Sequence, residues 1–127
     1  MVLQQHSRIA LWGQGNPATL IRLQPSWNNK VYQCIADKYG NWKIFIQTPK
    51  AGGPFTIAIT DTSTITINNV MLGEVWFCSG QSNMEMPMKG FNNQPVFNSN
   101  QVLEDADNFN LRLFETKKNA SVTPLTN

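Results

Sequence analysis

The chain has 127 residues, 41% of them hydrophobic and 14% charged, and a formal net charge of +2. That length suits about one domain with a real core. The charge balance provides no basic stripe for a nucleic acid, and no apolar run approaches the roughly 20 residues that span a bilayer.

Met1 leads directly into Val2-Leu3-Gln4-Gln5, without the charged and apolar segments of a secretory leader. Residues 1–70 then read as short strands with turn signals between them. Residues 8–12 precede Gly13-Gln14-Gly15-Asn16-Pro17, which lacks the third glycine and following helix of a dinucleotide loop. Residues 19–23 alternate and break at Pro25-Ser26; residues 31–36 alternate and end at the turn 37–41. Trp42, Ile44 and Ile46 share one strand face, and Pro49 and Gly52-Gly53-Pro54 separate them from strands at 55–60 and 64–67. Short β-branched runs punctuated in this way predict an antiparallel β-sandwich. The abundant Asn residues suit its turns.

The pattern changes near residue 70. Residues 70–79 read as a longer, mostly apolar strand, as expected where both faces of a sheet are covered. Residues 84–97 read as irregular surface. Ser99 or Asn100 caps a short helix through Asp107, with Leu103 as its main apolar contact. Residues 110–115 read as another strand, and the last dozen residues as a polar, frayed tail. The expected domains are therefore a sandwich over 1–70 and the opening of an α/β domain over 71–127.

Residues 73–87 carry the functional signal: Gly-Glu-Val-Trp-Phe-Cys-Ser-Gly-Gln-Ser-Asn-Met-Glu-Met-Pro. An apolar run ends abruptly in small and polar residues, with Ser82 just past the turn, where a strand end would present a nucleophile. A serine hydroxyl is a weak nucleophile until a base takes its proton, so position alone proves nothing. The block closely resembles the nucleophile block of the sialate O-acetylesterase family, carbohydrate esterases of the SGNH-hydrolase type. The resemblance extends through Met1–Gln5, Trp12-Gly13, Ala36-Asp37, Gly40-Asn41-Trp42, the stretch 51–55 and Leu111-Arg112-Leu113-Phe114. It implies a jelly-roll or immunoglobulin-like sandwich followed by the first strands of an SGNH-type α/β/α domain. The implied activity is serine-dependent hydrolysis of O-acetyl esters on sugars, sialate 9-O-acetylesterase-like, with no metal and no organic cofactor.

By resemblance, Ser82 is the nucleophile, and its own backbone N–H contributes to the oxyanion hole. Gln81 and Asn83 are oxyanion or pocket candidates, with structural support of the loop as the plainer role. Gly80 permits a sharp turn that a Cβ would crowd. Glu85 lies outside the family's triad and reads as a solvated or substrate-facing carboxylate. His6, the only histidine, has no counterpart in the family's Asp-x-x-His-like arrangement, which implies an acid and a base beyond residue 127. Among the tryptophans, Trp42 and Trp76 read as core and Trp27 as the exposed ring best suited to stack on a sugar. One histidine and two distant cysteines, Cys34 and Cys78, make no metal site. Cys78 reads as a small buried thiol, and Asn119-Ala120-Ser121 is a glycosylation triplet.

The expected partner is an O-acetylated carbohydrate, with no nucleic acid and no membrane. Self-association, or pairing with the remainder of the enzyme, is expected from an α/β domain cut after its second strand. A periplasmic or secreted location follows if a leader lies upstream of Met1. A reading of a different class is a non-catalytic carbohydrate-binding or surface module, because Ala36-Asp37 and Gly40-Asn41-Trp42 also resemble immunoglobulin-like repeats of bacterial surface proteins. Under it Ser82 is a turn residue.

Overall fold

The computed structural model describes residues 1–116 and 120–123. Asn119, the acceptor position of the glycosylation triplet, lies outside the described residues, as does much of the polar tail. The chain divides into two compact units, Met1–Cys78 and Ser79–Asn127, and it is mainly β with little helix.

The first unit contains strands β1 (Val2–Gln4), β2 (Arg8–Gln14), β3 (Leu20–Pro25), β4 (Tyr32–Ile35), β5 (Asn41–Gln47), β6 (Gly52–Thr60) and β7 (Thr64–Gly73). They form a five-stranded sheet in the order β1-β7-β6-β3-β4 and a two-stranded ladder of β2 with β5. The ladders are antiparallel apart from β1, which runs parallel to β7 with Val2 opposite Met71 and Gln4 opposite Gly73. That parallel pair departs from the all-antiparallel expectation.

Period-2 alternation explains the core. In β3 Ile21, Leu23 and Pro25 are buried and the residues between them exposed, and in β5 Trp42, Ile44 and Ile46 alternate in the same way. These two inward faces meet Ile57 from β6 and Val70 from β7 in one cluster, so the large sheet and the small ladder share a core. At about 25 cal/mol per Å² of apolar surface removed from water, each such side chain contributes roughly 1.5–3 kcal/mol.

Strand β7 changes the parity of its inward residues partway along. Ile67 packs on the core and Ile65 is exposed, whereas Val70 and Leu72 are both buried. An odd-to-even switch needs one extra residue. The register supplies it: Phe55 and Ile57 of β6 face Val70 and Ile67 of β7, three steps against two. Asn69 adopts a positive φ of 55° there, a conformation asparagine tolerates better than most residues.

The turn after β4 is fixed by Asp37. Its carboxylate accepts the backbone N–H of Tyr39 and of Asn41, both at 2.8 Å. Gly40 has a φ of 84°, and a Cβ there would collide with the Gly15 carbonyl oxygen. The motif 36–42 is therefore dictated by a turn. Thr48, 1% exposed just past β5, donates its N–H to Ser7 O at 2.9 Å and accepts the Ser7 N–H on its hydroxyl at 3.0 Å. The same hydroxyl reaches Gln4 O at 2.6 Å.

Two expected strands are absent. Residues 70–73 continue β7, which ends at Gly73, and residues 74–80 form no strand. Residues 110–115 form none either; there the Asn108 side chain accepts the Asn110 N–H in a local turn. An apolar run becomes a strand only where a partner accepts its backbone hydrogen bonds, and neither segment pairs with a described strand. The second unit instead holds a 3-10 turn (Ser82–Met84), a short hairpin of β8 (Gly90–Phe91) with β9 (Gln94–Pro95), and helix α1 (Ser99–Glu104). The helix is shorter than expected, and Asn98, not Ser99 or Asn100, occupies its N-cap, without a side-chain bond. None of the described residues of this unit is buried.

Candidate functional site

Ser82 opens the 3-10 turn that follows Ser79-Gly80. Two backbone bonds close the turn: Met84 N–H to Gln81 O at 2.9 Å and Glu85 N–H to Ser82 O at 3.0 Å. Ser82 is exposed, and among the described residues nothing hydrogen-bonds its hydroxyl. Gln81 precedes the turn with φ −103° and ψ −141°, and its side chain does not cap it. Asn83 is the middle residue and is exposed. Gln81, Ser82 and Asn83 thus form one continuous solvent-facing segment, in which a serine oxygen stands beside two amides. A Cβ on Gly80 would lie 2.7 Å from Met84 Cγ. The close approach there is made by the Met84 side chain alone, which is 53% exposed.

The apolar run before this segment is not a buried strand. Val75 is 53% exposed, Trp76 83% and Phe77 94%, and Cys78 is exposed as a free thiol. The expected burial of Cys78 and Trp76 is therefore corrected: beyond Gly73 no described strand flanks these side chains. Cys34 is half-buried and also free.

What does hold the run is an amide–carboxylate clamp at its start. Gln4 Nε2 donates to Glu74 Oε2 at 2.9 Å, and Gln5 Nε2 donates to Glu74 Oε1 at 2.7 Å. Gln4 Oε1 accepts the Val75 N–H at 2.8 Å. The Gln4 and then the Gln5 amide hold the Glu74 carboxyl below its usual range, because both donate to the charged form. The Gln4-Gln5 pair, read from sequence only as part of a resemblance, thereby fixes the direction in which the chain leaves β7.

His6 occupies the turn between β1 and β2, exposed, with a positive φ of 48° and its N–H donated to Pro49 O at 3.0 Å. That is a turn residue's role. Trp27 is not an exposed platform. Its ring packs edge-on against Phe55 with centroids 5.6 Å apart, and its Nε1 donates to Gln47 O at 3.3 Å. Trp42 is core as expected, 9% exposed, whereas Trp12 on β2 is 71% exposed. The two-residue repeat along β2 held the signal for Trp12: Ile9 and Leu11 face the core, so Trp12 faces away. Among the described residues no three His, Cys, Asp or Glu side chains converge on a metal site.

No family model matches the chain. It is 33% identical over 116 residues to the sialate O-acetylesterase of Mus musculus, covering 83% of this chain and 20% of that protein. It is 31% identical over 136 aligned positions to the sialate O-acetylesterase of Homo sapiens, covering 98% and 24%. In structure it resembles a carbohydrate acetylesterase from Xanthomonas citri with a TM-score of 0.82 and 29% identity, across 98% of this chain and 27% of that one. The chain thus spans a fifth to a quarter of the curated relatives it matches. Over nearly all of its own length it belongs with the sialate O-acetylesterases.

Proposed function

We propose that this chain is the nucleophile-bearing part of a carbohydrate O-acetylesterase. On this reading residues 1–70 are a jelly-roll or immunoglobulin-like sandwich and residues 71–127 open an SGNH-type α/β domain. Ser82 Oγ attacks the acetyl carbonyl of an O-acetylated sugar, and its proton passes to a base. The C–O bond to the sugar breaks with protonation of the departing hydroxyl, which leaves an acetyl-serine. Water then attacks that ester and releases acetate. The base and its acid partner come from the part of the relatives that this chain does not span. Gln81 and Asn83 line the pocket, and the Ser82 N–H, at the open start of the 3-10 turn, donates to the oxyanion. One observation carries the reading: in a chain similar along its length to named acetylesterases, Ser82 stands solvent-facing at a turn that uses none of its hydroxyl's hydrogen-bonding capacity.

The test is a graft. The chain replaces the matching segment of the Xanthomonas citri acetylesterase, and deacetylation of an O-acetylated sugar is measured with Ser82 and with Ser82→Ala. Loss of a nucleophile reduces kcat by roughly 10⁴-fold or more, at an unchanged melting temperature because Ser82 is exposed. Equal turnover of the two grafts overturns the assignment, and so does a folded but inactive Ser82 graft.

A further inference from the structure

The outward face of the β2–β5 ladder has a composition that core packing does not explain. The register places Arg8 opposite Gln47, Ala10 opposite Phe45, Trp12 opposite Lys43 and Gln14 opposite Asn41, all on the face away from buried Trp42, Ile44 and Ile46. Trp12 is 71% exposed and Phe45 46%. As diagonal neighbours across an antiparallel pair, their side chains start about 7–8 Å apart.

Charge on this face has one sign. The Arg8 guanidinium lies 4.6 Å from the Phe45 ring centroid and the Lys43 ammonium 5.4 Å from the same centroid. Two cations gathered at one ring repel each other, and neither strand carries an Asp or Glu to offset them. The acids near the end of the ladder are already engaged, Asp37 by Tyr39 and Asn41 and Asp61 by Asn16 and Ser63. The Gln14 amide leans on Asn41 Oδ1 at 3.2 Å, which keeps its own carbonyl oxygen available for a hydroxyl.

We propose that this face binds an acidic sugar, with a pyranose ring stacked on Trp12 and its carboxylate held between Arg8 and Lys43. An indole exposed on a flat sheet face suits the apolar face of a sugar ring, and a guanidinium and an ammonium that each lie beside the Phe45 ring are both suited to a carboxylate. A second copy of the chain fits less well, because a two-fold contact would bring the same cations together. A nucleic acid would need a longer track of phosphate contacts than two cations provide. The inference concerns the Met1–Cys78 unit and stands without the Ser82 reading.

The 127-residue chain is titrated with 3′-sialyllactose and with lactose, which lacks the carboxylated sugar, by ligand-observed NMR. Sialyllactose binds at least about tenfold more tightly than lactose, the loss expected when a charge-assisted hydrogen bond has no partner. Trp12→Ala weakens sialyllactose binding about tenfold or more, as for other exposed aromatic anchors, and the pair Arg8→Gln with Lys43→Gln removes the preference over lactose. Each variant melts like the wild type because the side chains are on the surface. Ser82→Ala leaves the affinity unchanged, which separates this site from the esterase reading. The proposal is overturned by equal binding of the two sugars, by an unaffected Trp12→Ala, or by absence of binding. Displacement by equimolar inorganic phosphate or by an RNA oligomer overturns it too. So does light scattering in which Trp12→Ala dissolves a dimer that binds no sugar.

Discussion

Replacing Thr48 by valine isolates the contribution of one buried hydroxyl. Valine has nearly the same shape, so packing is kept, but the Ser7 N–H loses its acceptor at 3.0 Å and Gln4 O its donor at 2.6 Å. Each buried polar group left unsatisfied costs about 1–3 kcal/mol. Both groups are only partly buried, so about 1.5 kcal/mol apiece is appropriate. Exchanging hydroxyl for methyl recovers about 0.8 kcal/mol of apolar burial. The net loss is about 2 kcal/mol, which for a unit of this size lowers the melting temperature by about 10 °C. The Ser7 carbonyl also lies 2.9 Å from the Thr48 hydroxyl, but one proton cannot serve two carbonyls fully, and Ser7 O keeps the Thr48 N–H at 2.9 Å, so it adds little to the difference. Thr48→Ser is the control: it retains the hydroxyl and loses one methyl, about 0.8 kcal/mol. Far-UV circular dichroism melts of the three proteins should rank wild type above serine above valine. A valine variant as stable as the serine variant would refute the role assigned to the hydroxyl.

Acid should destabilise the first unit. Asp37 and Asp61 are held below the usual carboxylate range mainly by the backbone N–H groups of Asn41 and Ser63 respectively, and Glu74 mainly by the Gln4 amide. A carboxyl with a depressed folded-state pKa contributes stability above the ordinary carboxylate range and loses it as pH falls through the folded value. The melting-temperature gap between wild type and Asp37→Asn should therefore narrow from pH 7 to pH 2.5, and a constant gap would contradict the assignment. The 127-residue chain should hydrolyse p-nitrophenyl acetate barely above background, since without its base a serine triad loses several orders of magnitude. Robust turnover abolished by His6→Ala would show that the chain carries its own base. Finally, Phe77 (94% exposed), Leu113 (87%) and Phe114 (90%) should make the chain self-associate. Light scattering should show mass rising with concentration and less so in Phe77→Ser; a monodisperse monomer would count against this.

The strand-rich part of the chain was readable because its strands obey one simple period. In β3 and β5 every second residue is apolar, and each of those residues is buried. The reading failed where the period is interrupted. Asn68-Asn69 looked like a break between two strands, whereas the bulge at Asn69 carries a single strand through to Gly73. The period also says nothing about partners. Residues 74–79 and 110–115 have strand-like composition, but ladder partners are properties of distant sequence, and no described segment supplies them. For the candidate site, the Gln81-Ser82-Asn83 block was visible as a motif and its turn follows from small residues. The clamp of Gln4 and Gln5 on Glu74 joins residues about 70 positions apart, a pairing that no local pattern encodes.

That clamp also sets which part of the fold opens first. Strand β1 is three residues long and lies at one edge of the five-stranded sheet, the kind of element that frays at a small fraction of the global unfolding free energy. When it lifts, Leu3 leaves the margin of the core and Gln4 O leaves the Thr48 hydroxyl, while the cluster of Ile21, Leu23, Ile46 and Ile57 stays with the other strands. Glu74 and the Val75 N–H, however, lose their glutamine partners together. The course of the backbone just past Gly73 is thus tied to the opening of one edge strand. Amide exchange at Val75 should keep pace with exchange in β1 and run far ahead of exchange in β3 and β5.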